Sequence, residues 1–116
     1  MIRYNPGDIV LVPFPFKNLT RTKKRPALVL QRISSQIFPD LFVLAMMTSN
    51  LHSEMLKGDV ILATWKEAGL PKPTKIRLTK LATLEQGIIL KKIGSLSKEE
   101  WKKTGKEFLN LFSFSN

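Results

Sequence analysis

The sequence predicts a mainly-β protein: a small, strongly curved barrel of five or more strands, with one short helical insertion and a C-terminal helix. Three observations carry this prediction. Short apolar segments of strand length alternate with turn residues along most of the chain. The segment ATWKEAGLPKP has room for a single helical turn before its glycine and prolines. A capped segment with apolar residues at helical spacing comes last.

The first strand follows a turn cluster, Asn5 to Asp8, and covers DIVLVPFPF, which is apolar on both faces. Because Pro13 and Pro15 have no N–H to donate, we expect its distal half to lie at a sheet edge or to bend away. A polar, basic loop comes next. The second strand then begins at KKR, where Pro26 fixes one backbone dihedral angle before ALVLQ.

The middle of the chain contains the segment best suited to the centre of a sheet. LFVLAMMTS, which starts at Leu41, is apolar without interruption until its end, as expected of a strand buried on both faces. A short strand, VILA, follows Gly58 and Asp59. The single helical turn comes after it and is closed by Gly69.

The segment TKIRLTKLATL alternates apolar and polar residues, as a half-buried strand does. Ile76 and Leu78 fall on one face, and the other face carries Lys75, Arg77 and Thr79. This alternation leaves open whether Arg77 points into a cleft or into solvent.

The C-terminal helix has the clearest signal. Ser97 stands three residues before Glu100, in the pattern of a capping box, and Leu96 and Trp101 are placed to form a hydrophobic staple. Helical spacing then predicts the face that packs on the barrel: Trp101, Phe108, Leu109 and Phe112.

The composition is that of one globular domain, residues 1–116, with a strong positive charge. Nineteen Lys and Arg against nine Asp and Glu give a formal net charge of +10 and a pI near 10.2, which favours a polyanionic partner. Nucleic acid fits better than a membrane surface, because the basic residues follow no single amphipathic helix. With no cysteine, no signal-peptide pattern and no membrane-length apolar run, we expect a soluble, cytoplasmic protein.

The sequence offers little for metal-dependent or nucleotide-driven chemistry. Its three aspartates and six glutamates are scattered, and its one histidine, His52, has no partner with which to share a zinc ion. Neither a glycine-rich phosphate loop nor a serine nucleophile elbow is present. We therefore expect no metal and no cofactor. RNA cleavage by the substrate's own 2′-hydroxyl needs neither, because the protein has only to orient the phosphate, stabilise its extra charge and handle two protons.

The stretch KKRPALVL is the main candidate for phosphate contact. It places Lys23, Lys24 and Arg25 at the start of a buried strand, a rigid element from which a guanidinium can be aimed at phosphate. A solvated loop that merely precedes a core strand would carry the same charges. Phe14 and Phe16 are placed to flank this basic loop and to stack on bases.

Two stretches, GDIVLVPFPF and KKRPALVL, together resemble the amino-terminal signature of the PemK/MazF family of toxin endoribonucleases. MMTSN resembles the family's third-strand motif, and KIRLTKLATLE with KKIGSLS resembles its carboxy-terminal half. The resemblance implies an SH3-like barrel of the CcdB/PemK type with about five to seven strands, and a homodimer. It also implies a metal-independent cut in single-stranded RNA that leaves 2′,3′-cyclic phosphate and 5′-hydroxyl ends, and a cognate antitoxin that covers the RNA site.

Carried over position by position, the resemblance implies three catalytic residues: Arg25, Thr48 and Arg77. Thr79, followed by Lys80, stands where many relatives have an acidic residue that acts as a base, and we count both among the candidate RNA-binding residues. A threonine does not take up a proton as a carboxylate does, so the proton acceptor is unassigned. Glu85 is the nearest carboxylate downstream.

Two other functions stay open at this stage. One is a basic RNA-binding module without activity, in which the cations only hold phosphates. The other is a toxin on the same barrel that poisons gyrase through protein contacts, as CcdB does, although the ending LFSFSN does not resemble the tail of such proteins. If RNA is cut, we expect the loops at 17–24 and 50–57 to carry the sequence selectivity.

Overall fold

The computed structural model describes residues 3–14, 23–37 and 39–112. This part of the chain forms six strands and one α-helix: β1 (Asp8–Phe14), β2 (Lys23–Ile33), β3 (Leu41–Thr48), β4 (Asp59–Ile61), β5 (Lys75–Glu85), β6 (Lys91–Ser95) and α1 (Lys98–Leu111). All strand pairs are antiparallel, in the order β4-β5-β3-β2-β1-β6. The mainly-β prediction is confirmed, with the difference that the sheet is barrel-like but not closed.

The strand positions agree with the sequence patterns. The uninterrupted apolar strand, β3, lies in the middle of the sheet between β5 and β2. Along β1, described pairing with β6 stops at Leu11, while pairing with β2 continues through Pro13 to Phe14. The proline-containing half of β1 therefore lies at an edge, as predicted from its missing N–H donors.

The predicted helical insertion is one turn that ends at Gly69. The N–H groups of Ala68 and Leu70 donate to the carbonyls of Thr64 and Trp65, both at 3.1 Å. Gly69 has a φ of 89°, a left-handed conformation that a glycine adopts without steric cost.

The helix α1 begins as predicted, with Ser97 Oγ accepting the Glu100 N–H at 3.1 Å. The second half of the capping box is wrong, because the Glu100 carboxylate instead accepts from the N–H of Thr64 at 2.9 Å and from its hydroxyl at 3.1 Å. The buried carboxylate thereby connects the helix to the helical insertion.

The packed face of α1 differs from the predicted one in two positions. Trp101, Phe108 and Leu111 pack on the core, but Leu109 is 75% exposed and Phe112 is also exposed. Leu109 follows Phe108 directly, and a step of one residue turns the side chain by about 100° around the helix, away from the sheet.

Apolar residues cover both faces of the sheet. One face carries a cluster that includes Val10, Val12, Val29, Phe42 and Leu44. The other carries Ile9, Leu28, Met47, Ile76 and Leu78, against which α1 packs. Within the described residues, no helix is long and apolar enough to cross a membrane.

Gly94 in β6 gives a direct test of the packing between β6 and the helical insertion. A Cβ at this position would overlap the carbonyl oxygen of Ala68, whereas a Cβ at Gly105 in α1 would meet no atom within 4 Å. We expect Gly94→Ala to lower the free energy of unfolding by about 3 kcal/mol or more. Gly105→Ala is expected to raise it by about 0.5–1 kcal/mol, because it reduces the entropy of the unfolded chain. Urea denaturation measures both; equal effects of the two variants would contradict this packing.

Candidate functional site

A cavity of about 310 Å³ opens at the end of β3, between the neighbouring strands β2 and β5. Five residues singled out in the sequence border it: Phe14, Arg25, Thr48, Arg77 and Lys80. Met46, Met47, Asn50 and Ser53 complete the lining. The three candidate catalytic residues therefore come from three adjacent strands and meet at one cavity.

The register of the sheet accounts for this meeting. Ala27 of β2 pairs with Met46 of β3, so Arg25, two residues earlier, lies level with Thr48, two residues later. Met46 also pairs with Arg77 of β5 on its other side. Because side chains alternate between the faces of a strand, these positions share one face.

An irregularity in β5 separates Lys80 from Thr79. Opposite Ala45 and Met46, which are consecutive in β3, the strand β5 contains three additional residues that have no partner in β3. Lys80 borders the cavity. Thr79 does not border it, and its methyl group lies instead beside Gly58, near the end of α1.

The guanidinium of Arg25 contains a buried donor that is not used within the described residues. Its Nε atom has no hydrogen-bond partner among them. A buried donor without an acceptor costs about 1–3 kcal/mol. A ligand oxygen that entered the cavity and accepted this bond would remove that cost.

The hydroxyl of Thr48 is oriented by the loop that follows β3. Its Oγ1 accepts the Asn50 N–H at 3.1 Å, and the Asn50 carbonyl accepts the Ser53 hydroxyl at 2.8 Å. Since one lone pair of Thr48 Oγ1 is used as an acceptor, its O–H remains available to donate to a ligand.

Arg77, in contrast, is held by a carboxylate. Its Nε and Nη2 donate to the two oxygens of Asp59 at 3.0 and 2.9 Å, and Nη2 also donates to the Glu54 carbonyl at 3.0 Å. This bidentate geometry fixes the plane of the guanidinium at the edge of the cavity.

Lys75 contacts the same carboxylate and, as the alternation pattern predicts, lies on the same side of β5 as Arg77. Its side chain is 0% exposed, and its Nζ lies 3.2 Å from Asp59 Oδ2 and 3.3 Å from the Glu54 carbonyl. β4 pairs alongside this end of β5, with Ile61 opposite Lys75. The buried ammonium is accommodated because an equally buried carboxylate compensates its charge.

Asp59 and Arg77 shift each other's pKa. The bidentate bond from Arg77 lowers the pKa of Asp59 from 3.8 to about 2, against the opposing effect of burial. The same bond raises the pKa of Arg77 above its usual value. Asp59 is therefore a weak base at neutral pH, and Arg77 is a poor proton donor.

The remaining candidate RNA-binding residues are distributed around this cavity. Lys80 places its Nζ 4.2 Å from the centre of the Phe14 ring, a cation–π contact that covers one face of the ring. Lys24 borders a neighbouring cavity. Lys23 pairs with Phe14 at the start of β2, and Phe16 lies outside the described residues.

The carboxylates are placed differently from what the sequence led us to consider. Glu85 pairs with Leu41 at the opposite end of β3, seven positions or about 23 Å along the strand from Thr48. Asp59, which precedes the strand VILA in the sequence, binds Arg77 at the edge of the cavity, and the exposed Glu54 carboxylate is close enough to help raise the pKa of Arg77. Among residues 3–14, 23–37 and 39–112, no three His, Asp or Glu side chains are grouped as metal ligands.

Fold and cavity together define the class of the protein: a small, basic, mainly-β protein that collects two arginines and a threonine at one end of an open, barrel-like sheet. Solved structures with this fold include three bacterial proteins. An endoribonuclease from a mycobacterial species, in complex with its cognate antitoxin, is 10% identical, with a TM-score of 0.71 and 94% of both chains covered. The Mycobacterium tuberculosis toxin MazF-mt6 is 19% identical, with a TM-score of 0.67, 90% of this chain and 95% of the other covered. MazF from Deinococcus radiodurans is 17% identical, with a TM-score of 0.68 and 96% and 97% covered.

The family follows from the sequence itself. The model of the PemK-like, MazF-like toxins of type II toxin–antitoxin systems matches residues 5–112, and the chain belongs to this family. A comparison with curated protein sequences gives no significant match.

The Asp59 cluster has a measurable pH signature. Because the pKa of Asp59 is lower in the folded than in the unfolded state, it stabilises the fold above the unfolded value of 3.8, and this contribution is lost as the pH falls towards 2. We expect the loss to be on the order of 2 kcal/mol in the free energy of unfolding. Asp59→Asn should lack this part of the acid sensitivity and should be less stable at pH 7 by about 3–5 kcal/mol, since it leaves Lys75 without a counter-ion.

Asp40→Asn is the matched control, because Asp40 forms a more exposed ion pair with Arg32 at 3.8 Å. We expect it to change the stability at pH 7 by less than about 1 kcal/mol. Equal effects of the two Asp→Asn variants in urea denaturation at pH 7 would show that Asp59 does not hold the site together.

Proposed function

We propose that this protein is the toxin of a toxin–antitoxin pair and a metal-independent, sequence-selective endoribonuclease. It cleaves single-stranded RNA by attack of the substrate's 2′-hydroxyl and leaves 2′,3′-cyclic phosphate and 5′-hydroxyl ends. Family membership and the fold shared with named endoribonucleases support this proposal. The observation that carries it is the unused, buried Nε of Arg25 at the cavity that Thr48 and Arg77 also border.

Arg25 binds the scissile phosphate. Its guanidinium donates through Nε and a neighbouring nitrogen to two phosphate oxygens, a geometry that suits its planar fork. These bonds strengthen as the phosphorus becomes five-coordinate and gains negative charge, so they stabilise the transition state more than the bound substrate.

Thr48 and Arg77 complete the phosphate site in different ways. The Thr48 hydroxyl, oriented by Asn50, donates a further hydrogen bond to the phosphate. Arg77 contributes a fixed positive charge. We assign it an electrostatic role and not proton donation to the leaving group, because Asp59 raises its pKa.

The other basic and aromatic residues extend the RNA contact. Lys23 and Lys24 attract the strand to the start of β2, and Lys80 does the same at the β5 bulge. Phe14, which borders the cavity, stacks on a base. Thr79, whose methyl group lies beside Gly58 and not at the cavity, contacts RNA only at the edge of the binding surface.

The proposal includes the expected partners. RNA is the substrate, a cognate antitoxin covers the cavity, and the chain acts as a homodimer of one toxin domain that spans residues 1–116. One of the neighbours was solved as an endoribonuclease in complex with its cognate antitoxin, which supports the antitoxin as a partner.

One observation favours a second candidate, a basic RNA-binding protein without activity. Asp59, which binds Arg77 at the edge of the cavity, has a pKa of about 2 and is held by Arg77 and Lys75, so it does not serve as the proton acceptor. A cavity with strong phosphate donors in which no other group takes up the proton would bind RNA and leave it intact.

Incubation with a long single-stranded RNA in EDTA separates the two candidates. We expect the wild-type protein to produce fragments with cyclic phosphate ends, and Arg25→Ala to cut at least about 10²-fold more slowly, since an electrostatic donor to the transition state is lost. An RNA with 2′-deoxyribose at the cleaved position should stay intact, because its nucleophile is missing.

Arg32→Ala is the matched control. Arg32 lies on the same strand, carries the same charge and does not border the cavity; it pairs with Asp40 on the surface. Its cleavage rate should equal that of the wild type. Intact RNA after incubation with wild-type protein, together with salt-sensitive binding, would reject the enzyme in favour of the binding protein. Equal losses in Arg25→Ala and Arg32→Ala would reject the role of Arg25.

A further inference from the structure

A second cavity, of about 380 Å³, lies next to the first one and shares Arg25, Met47 and Thr48 with it. Its apolar surface comes from Leu11, Pro26, Leu70, Pro71 and Ile93. The three shared residues form the ridge that separates the two cavities, and the second cavity extends from this ridge towards Leu11 of β1 and Lys91 and Ile93 of β6.

Three lysines from three separate segments border this second cavity: Lys24 of β2, Lys72 before β5, and Lys91 of β6. All three are exposed, and none of them has a carboxylate within ion-pair distance among the described residues. The adjacent Lys92, in contrast, pairs with Asp8 at 3.2 Å. Cations that converge without counter-charges repel one another, and a polyanion that enters between them removes this repulsion.

The segment that carries Lys72 is fixed in place. Thr74 is buried, and its hydroxyl donates to the Lys72 carbonyl at 2.8 Å. Pro71 restricts the backbone immediately before Lys72. Lys91 is likewise held on a paired strand, opposite Leu11. The positions of both lysine backbones are therefore set before any ligand binds.

We propose that this second cavity binds the neighbouring nucleotides of the same RNA strand. This inference rests on the proposed function of the first cavity. Lys72 and Lys91 bind phosphates on one side of the scissile bond, and a ribose or base packs on Leu70, Pro71 and Ile93. The strand thus passes over the ridge at Arg25 and Thr48, which places the scissile phosphate between two binding regions. Grooves that bind single-stranded nucleic acid likewise combine apolar side chains, on which bases pack, with basic side chains that bind phosphates.

Salt-dependent binding tests this path without any cleavage step. The probe is a labelled single-stranded RNA of about a dozen nucleotides with 2′-O-methyl groups throughout, which has no free nucleophile, and affinity is measured by fluorescence anisotropy over a range of salt concentrations. The variant is Lys72→Gln with Lys91→Gln. Its control is Lys102→Gln with Lys106→Gln, which removes the same charge from an exposed region of α1.

We expect the plot of log K for RNA binding against log salt concentration to be less steep in the Lys72/Lys91 variant, by about 1.4. Each phosphate contact on a single strand contributes about 0.7 to the steepness. The control should keep the wild-type slope. Equal slopes for the two double variants would overturn the proposed path, whether or not the wild-type protein cleaves RNA. An effect of Lys72 and Lys91 on binding an acidic peptide, with none on RNA, would assign the cavity to a protein partner and overturn it as well.

Cleavage of natural RNA by the wild-type protein is measured separately. A lower slope in a protein that does not cleave would support the RNA path and reject only the catalytic function. Cleavage together with equal slopes would reject the path and keep the enzyme.

Discussion

The arrangement of the site depends on one buried carboxylate. Asp59, at the start of β4, accepts two hydrogen bonds from Arg77 and lies 3.2 Å from the ammonium of Lys75. Both cations also bond to the Glu54 carbonyl, so the same cluster holds the loop that contributes Asn50 and Ser53 to the cavity. A buried ammonium without this counter-ion would be strongly destabilising. The positions of Arg77, the short strand β4 and the loop after β3 are therefore coupled through a single side chain.

The two arginines of the cavity have different electrostatic surroundings. Arg77 is neutralised by Asp59, whereas Arg25 has a buried nitrogen without an acceptor among the described residues. An arginine whose charge is already paired attracts phosphate less strongly than one that is not. We infer that binding energy is concentrated at Arg25 and that Arg77 shapes the cavity around it. In the proposed reaction, stabilisation of charge by Arg25 would therefore be the main contribution.

Local patterns predicted most of the fold, while contacts between distant residues decided where prediction failed. The central position of β3 and the Ser97 cap follow from apolar runs and spacing within a few residues. The burial of Lys75 was not predicted because its partner is in another strand, and alternation carries no information about such a partner. Glu100 was misassigned because its acceptor role connects it to Thr64, 36 residues away. The meeting of Arg25, Thr48 and Arg77 was expected from family resemblance, and only the sheet register explains it physically.

The most direct measurement is a crystal structure of the protein with an RNA that carries 2′-deoxyribose at the cleaved position. Our account predicts one phosphate within hydrogen-bond distance of both Arg25 Nε and Thr48 Oγ1, with Arg77 still paired with Asp59. An RNA bound on the lysines of α1, with no phosphate at Arg25, would contradict it.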